Sequence, residues 1–160
     1  MDNYSNILFI SGAGRNVGKT WLACRLISKF AGYNITGIKI SPHFHEIYEG
    51  ADYLVNESDL QIIREIRTGD KDSMLMLKAG AKEAFYVQST KNDINNYVIN
   101  YVINYVNTSF PIIIESGYRQ GIETKGLNVR LNKAGEGSDL LNRIEYDNNR
   151  WLIHENHDRS

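Results

Sequence analysis

The chain alternates short apolar runs with longer stretches in which apolar residues recur every three or four positions. Ile7-Leu8-Phe9-Ile10 is apolar without interruption, as a strand covered on both faces must be, and predicts a first strand over Asn6 to Ser11. Gly12 to Gly18 reads as a loop. Lys19 to Phe30 predicts a helix, because Leu22, Leu26, Ile27 and Phe30 share one face, with Gly32 as its C-cap. Asn34 to Ile40 predicts a second strand and Ser41 to Asp52 a polar loop. Leu54, with the stretch Asp59 to Arg67, suits a strand followed by a short helix or turn. Lys71 to Ala79 predicts a helix and Phe85-Tyr86-Val87 a strand.

From Asn96 the letters NYVI-NYVI-NYVN repeat. That spacing lies close to the helical period and sets Val98, Val102 and Val106 in a stripe beside Ile99 and Ile103, with the asparagines outside. The same letters also partly satisfy a strand's alternation. Phe110 and Pro111 end this segment, and Ile112-Ile113-Ile114 leads to Glu115, a buried parallel strand terminating in a carboxylate. Beyond Gly117 the chain turns polar and glycine-rich, with strands expected at Leu127 to Leu131 and Trp151 to His154 and a frayed end at ENHDRS. The succession predicts an α/β fold, three-layer αβα with a mostly parallel sheet, in one domain over residues 1–160.

Composition narrows the partners more than the fold. A formal net charge of -1 gives no global field toward nucleic acid or an anionic membrane, so neither is expected as a partner. Cys24 is the only cysteine, which leaves no internal disulfide and no cysteine-based zinc site. No apolar segment approaches a membrane span, and the amino terminus does not read as a signal peptide. A cytoplasmic domain is the expectation.

The first loop carries the strongest chemistry. SGAGRNVGKT follows directly on the apolar run and nearly matches the Walker-A-type phosphate loop, G-x-x-x-x-G-K-[ST], with Ala13 at the first glycine. Strand, glycine-rich turn and helix beginning at Gly-Lys-Thr is the context that such a loop requires. Small residues let successive backbone N–H groups point at phosphate oxygens, and the helix N-terminus adds partial positive charge. Gly14, Arg15, Asn16, Val17, Gly18, Lys19, Thr20 and Trp21 are therefore candidate nucleotide contacts. Lys19 supplies a full charge, and Thr20 a hydroxyl for Mg²⁺. Arg15 covers the phosphates, donates across a dimer, or is a solvated loop residue.

Glu115, at the end of its apolar strand, stands where a Walker-B-type carboxylate belongs, as a metal ligand and with Lys19 a catalytic candidate. Lys39 emerges at the carboxyl end of the second strand, where ligands bind in open parallel sheets. His43 and His45 follow at a metal-like spacing without a cysteine or an evident third ligand, so phosphate contact or loop hydrogen bonding competes with zinc there. Asn132-Lys133-Ala134-Gly135 starts like a guanine-reading box, but Gly135 replaces its aspartate, and the tetrapeptide reads as a turn.

Taken together, SGAGRNVGKT, GIKISPHFH, GDKDSMLMLKAGAKEAFYV and IIIESGYR resemble the molybdopterin-guanine dinucleotide biosynthesis protein B (MobB) family. The resemblance spans residues 6 to about 119, and its most specific element is D-K-D-S with A-G-A downstream. It implies a P-loop NTPase-like, GTP-binding protein with weak GTPase activity. Such a protein would help a MobA-like guanylyltransferase attach GMP to molybdopterin, acting as an adaptor and a homodimer. Carried over residue by residue, it implies Lys19 and Thr20 for phosphate and Mg²⁺, Asp72 and Glu115 as acids near the metal, and Lys39 and His43 at the nucleotide's edge. Two departures stand out: the extra acid in Gly69-Asp70-Lys71-Asp72-Ser73, and Ser116 between Glu115 and Gly117.

The scaffold also resembles dethiobiotin synthetase, through Val17-Gly18-Lys19-Thr20 and Lys39. That likeness implies an ATP-dependent enzyme that activates a small acid as a mixed anhydride. A non-catalytic P-loop switch, with nucleotide setting its shape or partner, is the third expectation. The Tyr97, Tyr101 and Tyr105 stripe suits an interface or the edge of the chain's own core.

Overall fold

The computed structural model describes residues 5–12, 17–105, 109–117 and 126–155, apart from the side chains of residues 102, 103 and 105. Strands β1 (Ile7–Gly12), β2 (Thr36–Ser41), β3 (Asp52–Glu57), β4 (Leu60–Arg64), β5 (Glu83–Ser89), β6 (Ile112–Ser116) and β7 (Leu127–Leu131) form one seven-stranded sheet. Its order is β3-β4-β5-β2-β6-β1-β7. The run from β5 to β7 is parallel, whereas β4 pairs antiparallel with both β3 and β5. Helices α1 (Lys19–Lys29), α2 (Asp72–Ala79), α3 (Ile94–Tyr105) and α4 (Glu136–Arg143) complete an α/β fold with a mostly parallel mixed sheet. A separate hairpin joins β8 (Ile144–Asp147) to β9 (Arg150–Ile153).

Burial of both sheet faces explains the uninterrupted apolar runs. Every residue of β1 and of β6 is buried. Alternate side chains feed two separate cores, Leu8, Ile10 and Ile113 into one and Ile7, Phe9, Ile112 and Ile114 into the other. The first core takes Leu22, Leu26 and Ile27 of α1 and Met76 of α2; the second takes Ile94, Val98 and Ile99 of α3. Among the described residues, no helix is long and apolar enough to cross a membrane.

Several sequence expectations shift. The strand expected at Leu54 is present as Asp52–Glu57, but the stretch after it is no helix or turn: Leu60–Arg64 is a second strand, hairpinned onto the first at the sheet edge. The cap of α1 is Phe30, followed by a 3₁₀ turn over Ala31–Tyr33, and the left-handed residue is Asn34 rather than Gly32. The repeat is helical in α3, as the spacing predicts; Val98 and Ile99 are buried while Asn100 and Asn104 face solvent. Tyr97 is exposed and Tyr101 packs partly against the second core, whereas Val106 lies outside the described residues. Helix α4 has no counterpart in the sequence reading. The NKAG turn leads into it, with the Asn132 and Lys133 N–H groups donating to Glu136 Oε1 at 2.6 and 2.8 Å. Those two bonds hold the Glu136 carboxyl below its usual range.

Two predictions arise from this packing. A Cβ at Gly12 would lie 2.8 Å from the Leu131 carbonyl oxygen and 2.9 Å from Val17 Cγ2. The backbone oxygen cannot yield without disturbing the β1–β7 pairing, so Gly12→Ala is expected to lower stability by about 1–3 kcal/mol in chemical denaturation. Unchanged stability would show that β7 is free to move away. Cys24 is half-buried on α1, and burial, reinforced by the charges of Glu115 and Asp72, pushes its thiol up to about 11. Native protein at pH 8 is therefore expected to react slowly with a thiol reagent and to label quickly once unfolded. Native labelling as fast as that of free cysteine would contradict the burial.

A candidate phosphate and cation cleft

The carboxyl ends of β2 and β6 and the first turn of α1 open onto one cleft of about 760 Å³. Val17 and Gly18, just ahead of α1, line it from one side. Gly18 holds φ at +94°, a left-handed value that a side chain would strain, and serves as the N-cap residue of α1 without any side chain capping the helix. Lys19, Thr20 and Trp21 form the first turn and line the cleft. Val17 is buried beneath them, while Trp21 is 45% exposed at the rim. Gly14, Arg15 and Asn16 lie outside the described residues.

Above that turn, four predicted site residues come together. Glu115 is fully buried at the end of β6. Thr20 Oγ1 donates to its Oε1 at 2.5 Å, and the Lys39 ammonium donates to its Oε2. The same ammonium pairs with Asp72 Oδ2 at 3.0 Å. Sheet register sets this meeting: Lys39 and Glu115 are direct neighbours on β2 and β6, and Asp72 opens α2. Burial works against the charge of Lys39, but Glu115 and then Asp72 overcome it and raise its pKa. Lys19 shifts the other way, lowered by burial first and then by Lys39, against the opposing pull of Glu115 and Asp72. Two lysines thus share one pair of carboxylates, and the balance favours Lys39.

The histidines lie at the outer wall, both exposed. The His43 N–H donates to Ser41 Oγ at 3.2 Å, which folds the loop back on the strand end. The His45 N–H donates to Gln88 Oε1 at 2.9 Å, and Gln88 Nε2 returns a bond to the His45 carbonyl at 3.1 Å. Loop hydrogen bonding, one of the roles open to this segment, is thus made by backbone groups. Among the described residues, no three His, Cys, Asp or Glu side chains gather as a metal-binding group.

Magnesium asks for less. It prefers oxygen ligands, keeps several waters, and takes one or two carboxylates together with substrate phosphates. The Thr20 hydroxyl with the Glu115 and Asp72 carboxylates is such an oxygen set, and all three line one cleft. The residues fit the ion.

Other contributors escaped the sequence reading. Gln88 is fully buried and also bonds Gln61 Oε1 at 2.6 Å, so it braces the His45 loop against β4. Buried Glu65 accepts from Ser73 Oγ and, at 3.2 Å, from Tyr48 Oη, which anchors α2 one residue beyond Asp72. Ser116 does not loop out after the acid. It ends β6, buried, and donates to Asn95 Oδ1 at 2.9 Å. A polar residue inside an apolar strand, as in Phe85-Tyr86-Val87-Gln88, was the available signal for Gln88; the Glu65–Ser73 pair has none.

Comparison of the chain with family models, curated proteins and solved structures found no match in any of the three.

Proposed function

We propose that this chain binds a nucleoside triphosphate with Mg²⁺, as a P-loop NTPase-like, three-layer αβα domain. The observation that carries the reading is the Thr20 hydroxyl bonded to fully buried Glu115, on the helix that starts Gly18-Lys19 at the mouth of the cleft. Lys19 and the α1 N-terminus would take the phosphates. Thr20, Asp72 and Glu115 would hold Mg²⁺, which when bound neutralises phosphate charge. Trp21, exposed at the rim, would meet the nucleoside end.

GTP is the nucleotide of choice on the motif resemblance to MobB, and the role in the cytoplasm would be that of a homodimeric adaptor to a MobA-like guanylyltransferase. Weak hydrolysis follows from the charges. Both carboxylates of the cluster are taken up by Mg²⁺ in this reading, so neither would be free to orient and deprotonate a water. Positioning with no base stabilises the transition state only in part.

A second reading draws on Lys39 itself. A lysine at the carboxyl end of β2, inside the same cleft, also suits the acceptor of a dethiobiotin-synthetase-like, ATP-dependent reaction. Phosphate release from GTP and from ATP separates the two. Slow GTP turnover, together with stimulation of a MobA-type guanylyltransferase, supports the adaptor. ADP release that depends on a small carboxylic or carbamic acid overturns it in favour of the enzyme.

A further inference from the structure

The cation position of the cluster already has an occupant. The Lys39 ammonium touches Glu115 Oε2 and Asp72 Oδ2 at once, and these are the two carboxylates assigned above to Mg²⁺. The arrangement is built rather than incidental. Lys39 is anchored in β2 between Tyr86 of β5 and Glu115 of β6, and its side chain is only 14% exposed. Glu115 is completely buried, where an uncompensated carboxylate is unfavourable. Lys39 supplies that compensation.

Charge then constrains the order of binding. Lys19 and Lys39 face Glu115 and Asp72 in one partly enclosed space, so the cluster is close to neutral as it stands. Arg130 adds further positive potential at Lys19. A divalent cation arriving alone would leave a large positive excess in a region that screens charge poorly. A triphosphate arriving with the cation brings the missing negative charge and gives the displaced ammonium a new partner. The long lysine stem lets the ammonium move while the backbone stays in the sheet.

We propose that Lys39 is a resident cation that closes the divalent-metal position in the nucleotide-free protein, so that Mg²⁺ enters only with a triphosphate, onto which the Lys39 ammonium transfers. The inference rests on the nucleotide reading above for the second half of the exchange. Its first half, exclusion of the bare ion, is testable without any nucleotide.

Mn²⁺ binding to the full-length, nucleotide-free chain is read by electron paramagnetic resonance for the wild type, Lys39→Met and Lys39→Arg. Wild type and Lys39→Arg are expected to bind Mn²⁺ weakly. Lys39→Met is expected to bind at least about tenfold more tightly, because one positive charge has been removed beside the ion. Adding Glu115→Gln to Lys39→Met should abolish the gain. Equal Mn²⁺ affinity in wild type and Lys39→Met overturns the proposal. If Lys39→Met does not fold, Lys39→Gln, which keeps a hydrogen-bond donor toward Glu115, carries the same comparison. Triphosphate binding to the wild type is measured separately by calorimetry. A Mn²⁺ gain without any triphosphate binding would uphold the exclusion and sink the nucleotide reading. Triphosphate binding without a Mn²⁺ gain would do the reverse.

Discussion

Replacing Lys19 with alanine is expected to weaken triphosphate binding by about 100-fold or more while leaving the fold intact. Each hydrogen bond from a charged group contributes about 1.5–3 kcal/mol, and every 1.4 kcal/mol is a tenfold change in affinity. A P-loop lysine reaches two phosphates, so the combined loss exceeds that of one bond. Stability should barely move, since burial already works against the Lys19 charge and Lys39 remains to compensate Glu115. Calorimetric titration alongside a thermal melt checks both halves. Affinity retained in Lys19→Ala would remove the phosphate site from the first turn of α1.

Glu115→Ala is expected to act through stability as well as binding. Breaking a buried ion pair by removing one partner costs about 3–5 kcal/mol when the surviving charge is left alone. Here Lys39 keeps Asp72, which is 41% exposed, so a loss of about 2–3 kcal/mol is the better expectation. Thr20 loses its acceptor at the same time. Denaturant unfolding gives the energy, and metal-dependent triphosphate binding should fall with it. Wild-type stability in Glu115→Ala would mean that the Thr20–Glu115–Lys39 cluster is not holding β6, β2 and α1 together.

The sequence made the site's framework readable because each part has a local signal. Ile7 to Ile10 and Ile112 to Ile114 are apolar without a break, which only strands covered on both faces need, and both strands are fully buried. Gly18-Lys19-Thr20 carries its own turn-to-helix chemistry, and Glu115 is conspicuous as an acid closing an apolar run. What stayed hidden depends on neighbours distant in the chain. Leu60–Arg64 is only five residues long, so nothing local marked it as a strand rather than a helix or turn; it is one by pairing with Asp52–Glu57 and Glu83–Ser89. Helix α4 contains Gly137 and Ser138, both poor helix formers, and becomes a helix by packing Leu140 and Leu141 against the α1 side of the sheet.

The contact of Lys39 with both acids shows the same limit at the level of chemistry. The resemblance to MobB implied Asp72 and Glu115 as acids near a metal, with Lys39 at the nucleotide's edge. Parallel register puts Lys39 directly beside Glu115 instead, and the N-terminal end of α2 brings Asp72 to the same ammonium. The brace formed by Glu65 and Ser73 is equally invisible locally, because its partners belong to different elements and meet only once α2 docks.

The most direct measurement is a calorimetric titration of the wild-type chain with GTP and with ATP, each in the presence of Mg²⁺. Saturable binding with a preference for GTP, lost when Mg²⁺ is withheld or Lys19 is truncated, is the expected result. Binding of neither nucleotide would contradict the assignment of SGAGRNVGKT as a working phosphate site.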